Sequence, residues 1–470
     1  MMKSQLLEGA LSHGGAVIHN WQPENPRFWL EEGKPVAVRN LLISIPALLL
    51  SFAVWMVWSA VAVRLNGIGF NFSTNQLFWL TALPGLSGAT LRIFYAFMVP
   101  IFGGRRWTTF STLSLLVPAL WMGWAVCDVH TSYRVFVIIS LLCGLGGGNF
   151  ASSMSNISFF YPKSQQGTAL GLNAGLGNLG VSVVQFCVPL VIAKCLFGAW
   201  GGHAQYLKNG QAVWLQNAAW VWVPLIGVVA IASWLGMNDL GTAQSSFREQ
   251  AVIFRRKHTW LMCWLYTATF GSFIGYAAAL PMLTKTEFPG MDPLKYAFLG
   301  PLVGALARPL GGWVADRLGG ARVTLWNFVV MTMAVFGVLY FLPHTGQPGN
   351  FIGFLLMFLV MFVTTGIGNG STFRMIPIIF RVLQSRQNSG DTEILTEARQ
   401  KQAGKESAAV LGFSSAIAAF GAFFIPKSFG SSISLTGSPE LALYVFIAFY
   451  VSCMLATWWW YARHHAEVPC

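Results

Sequence analysis

Twelve apolar stretches of about twenty residues or more run through this 470-residue chain, and they decide most of what it can fold into. They lie at about 40–63, 76–102, 109–127, 135–160, 167–195, 217–237, 259–283, 296–316, 323–343, 351–377, 407–430 and 441–461. Inside a bilayer only helices and closed barrels satisfy every backbone N–H and C=O. Barrel strands are about half this length and alternate in polarity, which these stretches do not. Charged residues make up 10% of the chain, against about 25% in soluble domains. A disordered chain would lack the 55% hydrophobic content. The seven cysteines show no CxxC pair and no regular spacing, so a disulfide scaffold is excluded. The expectation is an all-α membrane protein with twelve transmembrane helices.

The first 38 or so residues are polar, with Asn20, Pro23, Pro26 and Glu31–Glu32. No basic stretch leads into a short apolar core near Met1, so no cleaved signal peptide is expected and the first span serves as its own insertion signal. Lys and Arg set the orientation. With the N-terminus in the cytoplasm, nineteen fall on cytoplasmic segments and seven on the other side, while Arg92, Arg308 and Arg374 lie within spans. Both termini are therefore expected in the cytoplasm. The net charge of +13 follows from these loops rather than from a compact basic domain, which argues against nucleic acid as a partner and leaves membrane lipid.

The two halves repeat. At a shift of 216, Gly88, Ala89, Arg92, Gly103–Gly104, Arg106 and Thr108 meet Gly304, Ala305, Arg308, Gly319–Gly320, Arg322 and Thr324. At 222, Gly144, Gly146 and Gly148 meet Gly366, Gly368 and Gly370; at 241, Leu170–Gly171 and Gly180 meet Leu411–Gly412 and Gly421. The expected organisation is an N-terminal tail (1–39), a six-helix half (40–237), a cytoplasmic linker (238–258), a second six-helix half (259–461) and a C-terminal tail (462–470). Two pseudo-symmetric halves in one orientation are the plan of a secondary transporter with its site between repeats.

Arg92 and Arg308 stand deep in spans 2 and 8. An intramembrane charge is expensive and marks a functional site by default. The competing reading is a buried ion pair, yet no Asp or Glu falls inside the apolar core of any span. Snorkelling is the other alternative, and both lie far from an interface. Two pseudo-symmetric guanidinium groups suit a small planar anion, each offering a flat fork of donors. Carboxylates and phosphates obey the same logic.

Span 4 carries Gly144, Gly146, Gly147 and Gly148, and span 5 carries Gly171, Gly175, Gly177 and Gly180. Small residues let helices approach closely in lipid, and such density also suits helices that slide as the halves rock. Asn178 could donate to an oxyanion or bond a neighbouring helix. Tyr266 offers a phenol donor, and Phe150 and Phe270 could wall a flat ligand, although 37 phenylalanines make any one of them a weak choice. Arg374, near the end of span 10, reads first as snorkelling and second as part of an inner gate. The eight histidines lie in tails, loops or span ends, and no GxxxxGK[ST] occurs, so neither metal, haem nor ATP is expected as cofactor. No nucleophile–base set points to an enzyme.

The segments 144–162 (GLGGGNFASSMSNISFFYP) and 167–183 (GTALGLNAGLGNLGVSV) resemble the glycine-rich signature of the NarK-type nitrate/nitrite porters of the major facilitator superfamily. Residues 407–430 resemble its second-half copy, with Gly412. The resemblance implies nitrate and nitrite as substrates, the bacterial inner membrane, a functional monomer, and the major facilitator fold. It implies Arg92 and Arg308 as the clamp, Tyr266 and Asn178 as donors, Phe150 against the anion's face and Ser415 nearby. Two departures stand out: loop 2–3 reads GGRRW where many members of the superfamily carry Asp before Arg, a form kept only as Asp316–Arg317, and Arg374 replaces a usual uncharged polar residue. Among alternatives, a channel would need a continuous polar face, and a porter for bulkier anions more polar side chains. The absence of a titratable group in the span cores favours nitrate/nitrite exchange over proton-coupled uptake.

Overall fold

The computed structural model describes residues 17–241, 251–385 and 393–470. Among the described residues, ten helices are long and apolar enough to cross a membrane. They are α1 (Pro26–Leu65), α2 (Thr74–Tyr95), α4 (Tyr133–Phe160), α5 (Lys163–Val191), α6 (Asn217–Gly236), α8 (Leu299–Leu318), α9 (Gly320–Phe341), α10 (Phe351–Ser385), α11 (393–436) and α12 (Glu440–Thr457, continued as a π-turn over Trp458–Ala462). Two interrupted helices, α3 (104–125) and α7 (257–287), complete twelve.

The interruptions have local causes. Pro118 cannot donate to Ser114 and crowds its carbonyl, and α3 breaks at Leu115 into Gly104–Ser114 and Leu116–Ala125. Pro100 does the same to Ala96, so α2 stops at Tyr95 and a short turn, Met98–Phe102, follows where the sequence predicts one span to 102. α7 carries a π-turn over Thr267–Gly271. α11 is interrupted at Phe420.

The chain forms two compact units, Met1–Phe72 with Leu83–Ser245, and Ser73–Ala82 with Ser246–Cys470. In the first, α1 runs on from a short lead that the sequence reads as a polar tail. Its apolar residues explain the difference: Trp21 and Trp29 join Phe160, Tyr161 and Leu240 in a buried cluster. Trp21 Nε1 donates to Phe159 O (3.1 Å), and β1 (Val17–Ile18) pairs with Asp239–Leu240 after α6. Asp239 Oδ1 in turn accepts from the backbone N–H of Arg105 (2.8 Å) at the start of α3.

In the second unit, α8, α9 and α10 pack closely. A Cβ at Gly311 would stand 2.2 Å from Ile367 O, and one at Gly366 2.1 Å from Gly304 O. The corresponding contact in the first unit joins Gly144 to Gly88, where a Cβ would stand 2.6 Å from the Gly88 nitrogen. The repeat seen in the sequence is thus a repeat of helix crossings.

Candidate functional site

Arg92 is wholly buried near the end of α2. Gly88, one turn earlier, and Gly147 of α4 bring the two backbones together: a Cβ on Gly147 would lie 2.8 Å from Gly88 Cα. That approach lets Arg92 Nε donate to Gly147 O (3.0 Å). The guanidinium carbon sits 4.7 Å from the ring centre of Phe150 and 5.3 Å from that of Trp55. Trp55 is itself fixed, its Nε1 donating to Pro84 O (2.7 Å). The charge is therefore held on aromatic faces, whose quadrupoles favour a cation.

Arg308, 9% exposed, occupies the equivalent place on α8. Its guanidinium carbon is 4.9 Å from the ring centre of Phe373 on α10. Nη2 donates to the Tyr266 hydroxyl (3.3 Å), and Nη1 is buried with no hydrogen-bond partner among the described residues. Tyr266 ends the regular turn of α7 just before the π-turn, which carries Phe270 beneath its ring: the two stack at 5.5 Å and 11°. Tyr266 also meets Phe373 at 5.0 Å.

Of the residues singled out in the sequence, the structure brings Phe150 to Arg92, and Tyr266 to Arg308, with Phe270 behind Tyr266. Asn178 and Ser415 stand as buried side chains on α5 and α11. Asn178 Oδ1 is buried without a hydrogen-bond partner among the described residues. Trp55 and Phe373 were missed, and Gly147 was singled out only as one of the close-packing glycines of span 4.

The glycines divide. Gly146, Gly148, Gly177 and Gly180 are contact positions: a Cβ there would meet Ser51 O, Tyr95, Leu48 and Leu49 O at 2.1–2.7 Å. Gly171, Gly175 and Gly412 have open space where a Cβ would stand, so close packing does not account for them. Arg374 does not snorkel alone. It is ion-paired with Asp316 of α8, because the close α8–α10 crossing sets the two side chains level.

Two compact units of packed apolar helices, each with a buried arginine at a repeated position, define a multi-pass secondary transporter. The Major Facilitator Superfamily model matches residues 43–387. The chain is 52% identical over 452 residues to the nitrate/nitrite transporter NarU of Escherichia coli (strain K12), covering 95% of this chain and 96% of that one. It is 43% identical to the probable nitrate/nitrite antiporter NarK2 of Thermus thermophilus, covering 97% and 99%. Among solved structures, a bacterial homologue of the lysosomal transporter Spinster aligns with a TM-score of 0.60 at 16% identity over 90% of this chain and 94% of that one. The xylose transporter XylE of E. coli aligns with the same TM-score at 15% identity, over 90% and 99%. The chain belongs to the NarK-type nitrate/nitrite porter family of the Major Facilitator Superfamily. It is a transporter, not an enzyme.

Proposed function

We propose that this protein exchanges nitrate and nitrite across the bacterial inner membrane by alternating access, as a monomer with both termini in the cytoplasm. The anion is held by Arg92 from one six-helix half and Arg308 from the other. The observation that carries this reading is the repeated setting of the two arginines: each is buried and each lies on a phenylalanine from α4 or its counterpart α10, and Arg308 keeps Nη1 for a ligand. Buried charge is costly without a counter-charge. A planar monovalent anion supplies one and accepts the donors in its own plane. Tyr266, already bonded to Arg308, offers a neutral donor. The naming of NarU and NarK2 for nitrate and nitrite supports this choice of anion. Phe150 and Phe373 form apolar walls, and Asn178 and Ser415 are further polar groups of the site.

The deciding experiment is counterflow of labelled nitrate into proteoliposomes preloaded with unlabelled nitrate. Competition by nitrite, with acetate and phosphate inert, is expected. Equal competition by acetate would replace the reading with a general porter for small anions.

A further inference from the structure

The turn of α4 against which Arg92 of α2 packs bears a second polar feature on its other side. α1 and α4 cross at Gly146, and just beyond the crossing Asn149 is 5% exposed. Its Nδ2 donates to Ser51 Oγ (2.8 Å), while Ser51 Oγ donates to Ala47 O (2.8 Å). The single hydroxyl proton of Ser51 is thereby spent on Ala47. Ser51 can only accept from Asn149, which fixes which end of the amide faces it. The other end, Oδ1, is buried and accepts no hydrogen bond from the described residues.

Asn149 lines a small, half-open cavity between α1, α3 and α4, to which Thr108, Thr112 and Ser152 also contribute. Ser152 has spent its proton on Asn149 O (3.2 Å), so it too can only accept. Thr112, 1% exposed, brings a hydroxyl from α3. The space open to a water's centre is about 10 Å³, about the least that holds one water, and two to four polar partners complete such a site. No charged side chain lines it, so an ion would lack a counter-charge, and nitrate is too large for it.

We infer that this cavity is a binding site for a single structural water. The water donates to Asn149 Oδ1 and Ser152 Oγ and accepts from Thr112. It ties α3 to the α1–α4 crossing, beside the Gly147–Phe150 stretch on which Arg92 rests. The site stands on the cavity and the amide alone and does not depend on which anion is carried.

Radiolytic footprinting of the purified full-length protein tests it, because irradiation converts a bound water to a hydroxyl radical that labels the side chain beside it. Leu48 lines the cavity and is 1% exposed. Leu50, two residues on, faces away around the helix and is 4% exposed. Leu48 is expected to be labelled several-fold more than Leu50, with slow uptake of oxygen from ¹⁸O-water. Asn149→Leu, which fills the cavity, and Thr112→Val, which keeps its shape, are both expected to reduce that labelling. The isosteric Thr112→Val serves if Asn149→Leu fails to fold. Labelling of Leu48 no greater than that of Leu50, or unchanged by Thr112→Val, overturns the inference.

Discussion

Arg308 rests against Phe373, its guanidinium carbon 4.9 Å from the ring centre, and so a residue of α10 helps hold the charge borne by α8. A desolvated cation–π contact contributes about 0.5–2 kcal/mol, which corresponds to about two- to thirtyfold in an equilibrium. Phe373→Leu is expected to raise the apparent KM for nitrate within that range while leaving a working carrier. Arg308→Lys and Arg92→Lys keep the charge but lose the planar fork. A lost hydrogen bond to a charged group costs about 1.5–3 kcal/mol, so each is expected to nearly abolish uptake. Near wild-type nitrate uptake by either well-expressed lysine variant removes the clamp.

Much of this arrangement was legible in the sequence, and the rest was hidden for physical reasons. Span length follows from bilayer thickness, so the helices could be counted. Gly88, Gly144, Gly304 and Gly366 could be paired because backbone contact admits little else. Phe373 could not be picked out: a ring is equally at home against lipid, core or a guanidinium. The Asp316–Arg374 pair joins two helices far apart in the chain and leaves no local pattern. Glu406 lies just outside the apolar window beginning at 407, yet α11 continues through it. Protein rather than lipid solvates it there, since its Oε1 accepts from Arg256, Gln384 and Gln402. A hydropathy window has no means of seeing such a turn.

Gly103 and Gly319 occupy the same place in the two halves, with φ of +89° and +92°. A Cβ on Gly103 would lie 2.3 Å from Asp239 Oδ1, whereas one on Gly319 would meet nothing nearer than 3.7 Å. Both alanine variants incur backbone strain of about 1–3 kcal/mol. Gly103→Ala also displaces the carboxylate that caps α3, a loss of about 0.5–2 kcal/mol. Gly103→Ala is therefore expected to lower the thermal midpoint in detergent more than Gly319→Ala. Adding Asp239→Ala to Gly103→Ala is expected to cost little more, since the two share one interaction. Equal effects of the two glycine variants count against the cap.

The C-terminal segment is tied to α7 by Glu467, which meets Lys257 Nζ at 2.6 Å and His258 Nε2 at 3.4 Å. The Lys257 hydrogen bond, opposed by some burial and aided by His258, holds the Glu467 carboxyl below its ordinary range. A folded-state value below the unfolded one gives stabilisation that is present above the unfolded value and fades as pH falls through the folded one. The pair is exposed enough for solvent to screen most of it. Glu467→Gln is thus expected to lower the thermal midpoint slightly at neutral pH, with the gap closing below about pH 4 and shrinking in high salt. A gap that widens on acidification contradicts the assignment.

Orientation can be checked by labelling. From the nineteen-to-seven distribution of Lys and Arg, the N-terminal lead is expected inside and the loop between α5 and α6 outside. With Cys127 and Cys195 replaced by serine, an impermeant maleimide is expected to label Asn209→Cys in intact cells and to leave Asn20→Cys unlabelled until the cells are opened. Labelling of both in intact cells overturns the topology.

Coupling is the sharpest question. A proton symporter needs a group that gains and loses a proton during the cycle, usually Asp, Glu or His within the membrane. The span cores hold none. Arg, above pKa about 12, and Tyr, at about 10, do not serve at neutral pH. Glu406 is buried at the start of the apolar run of α11, but its Oε1 is already committed to Arg256 and two glutamines. On the proposed clamp, an empty carrier would bring two positive charges through reorientation without relief, and their repulsion in a low dielectric would oppose that step. On the same proposal a bound monovalent anion would offset one charge and bridge both, so reorientation is expected to be fast when loaded and slow when empty. Nitrate uptake into proteoliposomes is then expected to be strongly stimulated by internal nitrite and nearly indifferent to an inward proton gradient, in wild type and in Glu406→Gln alike. Accumulation driven by the gradient into nitrite-free vesicles would defeat exchange, and its loss in Glu406→Gln would identify that carboxylate as the proton carrier.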